Sequence, residues 1–305
     1  MNVSRIRGDS KNRVIFKLQY RYMDIEETQP IRPKRGNPYV TFPDFSPSVP
    51  AEPGIAVPTE LNRESESRFV PPPYPPVPVS PEMAKALSAE IKSRKIQFLT
   101  HFTRLENLAS ILTYGLLPPN QLKSEGRTRF VRFNPPYLPG YWQNAISFNI
   151  SFPNYRLFYN LQEQRGYDWV VLLFDINILL SQPFYYFIYP AANLIHTPIF
   201  ATEISPKLQT FEAFEELFQD TENVRRAFLQ IPDCYPTHPQ SEVLTFQPVS
   251  VNALLEVHFY NDYKFNQWFM QNTALAMTMD KNIWQVSLEF FSPRCDYLNW
   301  KSTQR

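Results

Sequence analysis

Hydrophobic and polar positions change rhythm several times along the chain, and each change predicts an element. Arg13–Met23 alternates apolar with basic or polar side chains, as a strand does. A short helix is expected near 81–93, where Ser80-Pro81-Glu82 joins an N-cap to a proline in the first turn. A strand Ile96–Thr100 runs on into His101-Phe102-Thr103, and Leu105, Leu108, Ile111 and Leu112 give the next helix its apolar face, with Gly115 ending it. Ala145–Ile150 reads as a strand, Asn154–Leu161 as a helix, and Trp169–Ile176 as a strand apolar enough to be buried on both faces. Residues 211–230 carry the pattern of one amphipathic helix. Strands at Gln240–Gln247, Leu254–Tyr260 and Trp284–Phe290, with a helix at Asp262–Gln271, complete the set. The order lacks the βαβ rhythm of a doubly wound sheet.

Composition divides the chain. Half of the 30 prolines fall between Pro30 and Pro81, ending in Pro71-Pro72-Pro73-Tyr74-Pro75-Pro76, which favours extended polyproline II or a semi-rigid linker. Residues 1–95 are therefore expected to be a basic, proline-rich extension and 96–305 the folded domain. The whole chain carries a net charge of +1, which excludes a uniformly basic nucleic-acid coat. The basic residues instead concentrate in the first 35, so contact with a polyanion has to come from that arm or from local clusters. No apolar stretch approaches the roughly 20 residues of a membrane helix, and a cytoplasmic protein is expected.

Several residues carry candidate chemistry. None of the seven glycines is spaced as a dinucleotide fingerprint or a phosphate loop, and neither cysteine nor any histidine has metal-ligand spacing, so no metal is expected. Gln240-Ser241-Glu242 follows the constrained loop Asp233–Pro239, and period-two alternation would set Gln240 and Glu242 on one face of a strand. A carboxylate there can stabilise the positive charge that develops when a glycosidic bond breaks; the same pattern also describes an exposed strand end. His101 sits at a sheet rim, as a ligand contact or as a satisfied structural histidine. Arg127-Thr128-Arg129-Phe130-Val131-Arg132-Phe133 interleaves cations with aromatics, suited to phosphate contact and stacking or to an ordinary solvated run.

Three ordered motifs narrow these alternatives. Thr100-His101-Phe102-Thr103-Arg104-Leu105-Glu106-Asn107-Leu108 is followed by Ile111-Leu112 and Gly115-Leu116-Leu117. Then come Ile146-Ser147-Phe148-Asn149-Ile150-Ser151-Phe152-Pro153-Asn154-Tyr155 and Gln240-Ser241-Glu242-Val243-Leu244. In this order they resemble the DarT family of DNA ADP-ribosyltransferase toxins, over about Ile96 to Trp300. The resemblance implies an α+β ADP-ribosyltransferase fold: a split, bent mixed sheet with flanking helices and an NAD⁺ cleft between its halves. It implies transfer of ADP-ribose from NAD⁺, as co-substrate, to a base of single-stranded DNA. RNA or a protein acceptor is the alternative, and an inactive NAD⁺ or nucleic-acid binding module a further one. A toxin–antitoxin or phage-defence role with an antitoxin partner also follows. By residue, the resemblance makes Glu242 catalytic together with an arginine, Arg132 or else Arg129. It sets His101, Thr103, Tyr155 and Tyr159 at NAD⁺, and Gln240, Tyr235, His238 and Arg129 at the acceptor.

Overall fold

The computed structural model describes residues 76–128, 131, 138, 140–166, 168–195, 205–221 and 224–302. The alternating segment 13–23, Arg129, Arg132 and His196 lie outside the described residues.

Helix α1 (Pro81–Arg94) starts where the Ser80 hydroxyl accepts the Met83 N–H, and it ends at Lys95 in the left-handed conformation. Strand β1 (Phe98–Arg104) follows, then α2 (Leu108–Tyr114), α3 (Pro119–Ser124), β2 (Ile146–Ile150), α4 (Tyr155–Arg165), β3 (Trp169–Asp175) and β4 (Tyr185–Phe187). After them come α5 (Ala192–Ile195), α6 (Phe211–Glu216), α7 (Arg226–Leu229), β5 (Glu242–Thr245) and β6 (Leu254–Phe259). The order ends with α8 (Asp262–Gln271), α9 (Thr273–Ala276), β7 (Trp284–Val286) and α10 (Tyr297–Ser302). Gly115 closes α2 as expected, for two reasons. Its φ is +81°, and a Cβ there would stand 2.6 Å from the Val249 carbonyl oxygen.

The strands make one seven-stranded mixed sheet, ordered β4-β5-β2-β1-β3-β6-β7, antiparallel except for the β6–β7 pair. Alternation divides its side chains between two faces. Leu99, Phe148, Val170, Leu172 and Phe174 join the main apolar cluster with Leu87 and Ile91 of α1, Leu108 and Ile111 of α2 and Trp268 of α8. On the opposite face Trp169, Val171 and Leu173 pack with Phe158 of α4 and Phe290, and Tyr185, Phe187 and Leu244 pack with Trp142. Strand β3 is thus buried on both faces, as its unbroken apolar run predicts.

The pairing is uneven at the centre. Strand β1 pairs with β3 over its whole length, from Phe98↔Asp175 to Arg104↔Trp169, but meets β2 only at Leu99↔Ile150 and Thr100↔Asn149. The rest of β2 pairs with β5 instead. The sheet therefore forks between β1 and β2, and this is the split expected of an ADP-ribosyltransferase fold. At the apex the buried Asn149 donates from Nδ2 to the Ser241 carbonyl (2.7 Å) and accepts at Oδ1 from the Asn154 N–H (2.9 Å). The Thr100 hydroxyl donates to the Asn149 carbonyl at 3.2 Å.

Some predicted boundaries move. The region expected as one helix holds two short ones, Phe211–Glu216 and Arg226–Leu229, and between them Thr221 and Val224 exchange backbone hydrogen bonds in both directions, which a continuous helix cannot contain. The last strand stops at Val286, and Glu289–Phe291 curls into a 3₁₀ turn. Strand β4 has no counterpart in the pattern reading.

Replacing Asn149 by alanine leaves the Ser241 carbonyl and the Asn154 N–H buried without their partner. The expected loss is about 2–4 kcal/mol of unfolding free energy in urea titrations. A loss below about 0.5 kcal/mol would show that other groups satisfy both.

Candidate active site

The fork positions the first candidate. His101 is the residue after the last β1–β2 pair, and its Nδ1 lies 2.8 Å from the Ser147 carbonyl oxygen, bridging the strands just as their ladder ends. A carbonyl can only accept, so Nδ1 carries the proton. Burial pushes the His101 pKa below its usual value, against the raising effect of that hydrogen bond, so the ring is neutral and Nε2 is an acceptor. Its ring leans on Phe148, centroids 5.7 Å apart. Thr103 and Asn107, both buried, are joined by an Asn107 Nδ2 to Thr103 Oγ1 bond of 2.9 Å.

Glu242 is the first residue of β5 and is 1% exposed. Phe148 pairs with Val243, so one step along the ladder Asn149 stands beside Glu242. Thr100, Asn149 and Glu242 thereby form a polar row across three strands on one face. One carboxylate oxygen, Oε2, accepts from the Ala191 N–H at 3.1 Å. Alternation sends Glu242 to the face of Leu244 and His101 to that of Phe148, so the two reach the fork from opposite faces.

Gln240 departs from its expected place. It lies in a turn ahead of β5, half-buried, and its N–H bonds to His238 Nδ1 at 3.2 Å. Ser241 makes that turn: its hydroxyl is within 2.9 Å of both the Ile188 and His238 carbonyls, and its N–H also bonds to His238. The period-two reason for putting Gln240 and Glu242 on one face therefore does not apply.

The preceding loop is held by two arginines that pattern reading did not single out. Arg226 donates to the carbonyls of Pro232, Asp233 and Tyr235 at 2.7, 3.1 and 2.6 Å. Arg294 donates to those of Pro236 and Thr237 at 2.8 and 3.1 Å, and grips the Asp296 carboxylate through Nε and Nη2 at 2.8 and 2.6 Å. The Tyr235 ring lies against Phe152 and beneath the Arg294 guanidinium, and burial raises its pKa. His238 is 8% exposed and wedged edge-on between Tyr189 and Trp300. The Arg294 bonds reach residues 58 and 57 positions away, and those of Arg226, though only 6 to 9 positions long, end on backbone carbonyls, so neither leaves a residue pattern to read.

Along α4, Tyr155 and Phe158 are buried, Phe158 stacking on Phe102 at 4.5 Å, while Tyr159 stays partly exposed. Burial raises the Tyr155 pKa. Among the described residues there is no cluster of His, Cys, Asp or Glu able to hold a metal ion, and no helix long and apolar enough to cross a membrane.

Comparison with known proteins places these features in context. Residues 100–285, more than half of the chain, match the family model described as DarT, ssDNA thymidine ADP-ribosyltransferase. A search among curated protein sequences finds no match. Among solved structures, the chain is similar to Thermosipho africanus DarTG in complex with ADP-ribose, at 13% identity and TM-score 0.43. The match covers 64% of this chain and 51% of that one, so this chain spans about half the length of that relative. It is also similar to Thermus sp. 2.9 DarT in complex with NAD⁺, at 15% identity and TM-score 0.40, covering 64% of this chain and 97% of that one. The same Thermus protein in complex with ADP-ribosylated ssDNA matches at 14% identity and TM-score 0.40, covering 65% and 97%.

The two histidines give the fold a pH dependence of definite sign. Burial, reinforced by the positive charges of Arg156 and Arg294, pushes His238 down to about 3. An unfolded histidine titrates near 6.5, so the contribution of the neutral ring is complete above that pH and is lost as acid is added toward the folded value. Unfolding free energy should fall by about 1.4 kcal/mol per pH unit for such a histidine between about pH 6.5 and 4. His238→Gln should flatten this slope in urea titrations, and a variant with the wild-type pH profile would contradict the assignment.

Proposed function

The chain belongs to the DarT family of ssDNA thymidine ADP-ribosyltransferases, and from that premise we propose that Glu242 is its catalytic carboxylate and His101 its anchor for NAD⁺. It is an NAD⁺-dependent ADP-ribosyltransferase that acts on a base of single-stranded DNA. The observation that carries the residue assignment is the position of Glu242, held by the Ala191 N–H beside the apex of the fork. NAD⁺ lies across that fork. The neutral Nε2 of His101 accepts from a ribose hydroxyl or from the adenine amine, with Thr103 held ready beside it by Asn107.

When the bond between C1′ and nicotinamide breaks, nicotinamide leaves with the bonding pair and positive charge builds on the ribose. A carboxylate with little water around it stabilises that charge strongly and loses nothing to reorientation. Glu242 then takes the proton from the base nitrogen that attacks C1′. Because the carboxylate is covered in the free protein, substrate enters by displacing what covers it. An unstacked base is needed for attack, which suits a single strand. The loop 232–239 presents that base, with Gln240, Tyr235 and His238 in or next to it; the packing of His238 suits shaping the loop better than touching DNA. Arg132, or else Arg129, balances the pyrophosphate charge. Of the two tyrosines on α4, the more exposed Tyr159 is the better placed against nicotinamide, and Tyr155 supports it. We place the protein in the cytoplasm as a toxin with a neutralising antitoxin, in a toxin–antitoxin or phage-defence setting.

Labelled NAD⁺ incubated with separate single-stranded DNA, RNA and protein pools tests the assignment. Label is expected in the DNA, and Glu242→Ala should reduce it by about 100-fold or more while the fold persists. Wild-type turnover by this variant would refute the mechanism. His101→Ala should raise KM for NAD⁺ and lower turnover; unchanged NAD⁺ binding by calorimetry would make His101 a structural residue.

A further inference from the structure

The loop ahead of Glu242 is poor in ways to hold itself. In Ile231-Pro232-Asp233-Cys234-Tyr235-Pro236-Thr237-His238-Pro239 three prolines have no N–H, so the segment cannot join a ladder; the Tyr235 N–H reaches the Pro232 carbonyl at 3.0 Å, and most of the other carbonyls need donors from elsewhere. Arg226 and Arg294 supply them to five carbonyls, those of Pro232, Asp233, Tyr235, Pro236 and Thr237. Arg294 is 3% exposed and paired with the buried Asp296. A buried ion pair of this kind seldom raises stability above that of an apolar replacement, so its use here is geometric: it aims a planar fork of donors at two successive carbonyls. Arg294 and Asp296 follow residue 285, where the family match stops, whereas the loop they hold lies inside it.

We propose that Arg294, together with Arg226, is a positioning residue that fixes loop 232–237 so that a DNA base, rather than water, captures the ribosyl group of NAD⁺. This rests on the function proposed above. In both reactions the C1′–nicotinamide bond breaks and nicotinamide departs with the pair. In transfer, a base nitrogen gives its pair to C1′ and its proton to Glu242; in hydrolysis, a water oxygen does the same, giving free ADP-ribose. Hydrolysis needs NAD⁺ and Glu242 alone, while transfer also needs the base in line, and misplacement by about an ångström is enough to cost large factors in rate. Loosening the loop therefore shifts product from modified DNA to ADP-ribose.

The test uses the full chain with labelled NAD⁺ and a single-stranded oligonucleotide below saturation, counting labelled DNA and free ADP-ribose from one tube. Their ratio does not depend on how much of a preparation is folded. For Arg294→Lys, which keeps the charge and loses the fork, the ratio should fall about tenfold, and further with Arg226→Lys added. Asp296→Asn, which removes the anchor of the guanidinium, reads the same quantity if the lysine variant is too unstable to recover. A ratio within threefold of wild type, whatever the absolute rates, overturns the proposal; a larger fall supports it. If the wild-type chain labels no DNA, the function proposed above fails instead.

Discussion

The Asn149 side chain settles where the two halves of this molecule meet. Its carboxamide joins the end of β2 to the residue before Glu242 and to the start of α4, and the main-chain carbonyl of the same residue takes the Thr100 hydroxyl from β1. One buried residue, through its side-chain amide and its main-chain carbonyl, thus gathers segments that lie 92 and 49 positions away in sequence. A buried polar group must be satisfied or costs free energy, so the geometry is over-determined. With the apex fixed, β1 is free to follow β3 and β2 to follow β5, and the two pairs part beyond it.

The second requirement is met by a different device. Strand pairing delivers Glu242 to the apex, but it cannot order the chain just before it, where prolines interrupt the supply of donors. Two guanidinium groups, one from the helix just ahead of the loop and one from 58 positions beyond it, take over what a neighbouring strand would do. The result is a rigid backbone without regular structure, held by side chains, next to a carboxylate held by a backbone N–H. Each kind of group supports the other where its own kind is lacking.

Much of this was legible in the chain, and what was not has physical causes. Strands β1 and β6 follow from the period that a buried face imposes, β3 from an unbroken apolar run, and the caps at Ser80 and Gly115 from the residue types that caps require. Strand β4 escaped because it is only three residues long, too short for either a period or a run to mark it. Gln240 was expected within a strand because alternation cannot see that the Ser241 hydroxyl bonds two carbonyls and curls the backbone there. Glu242 and His101 stood out through ordered motifs, and the structure sets each at the fork. Arg226 and Arg294 did not stand out, since their loop partners are backbone atoms whose identity no sequence position records, and Asp296 serves only to hold Arg294.

The attachment of Arg294 to Pro236 and Thr237 also orders events in time. During synthesis the whole sheet, β1 through β7, can emerge and pair before residues 294–296 leave the ribosome. Until then the backbone beside Glu242 lacks its second fastener. A chain whose residues 294–296 have yet to dock can therefore hold most of the finished core, with Arg226 already on the loop, while the carbonyls of Pro236 and Thr237 still wait for their donor.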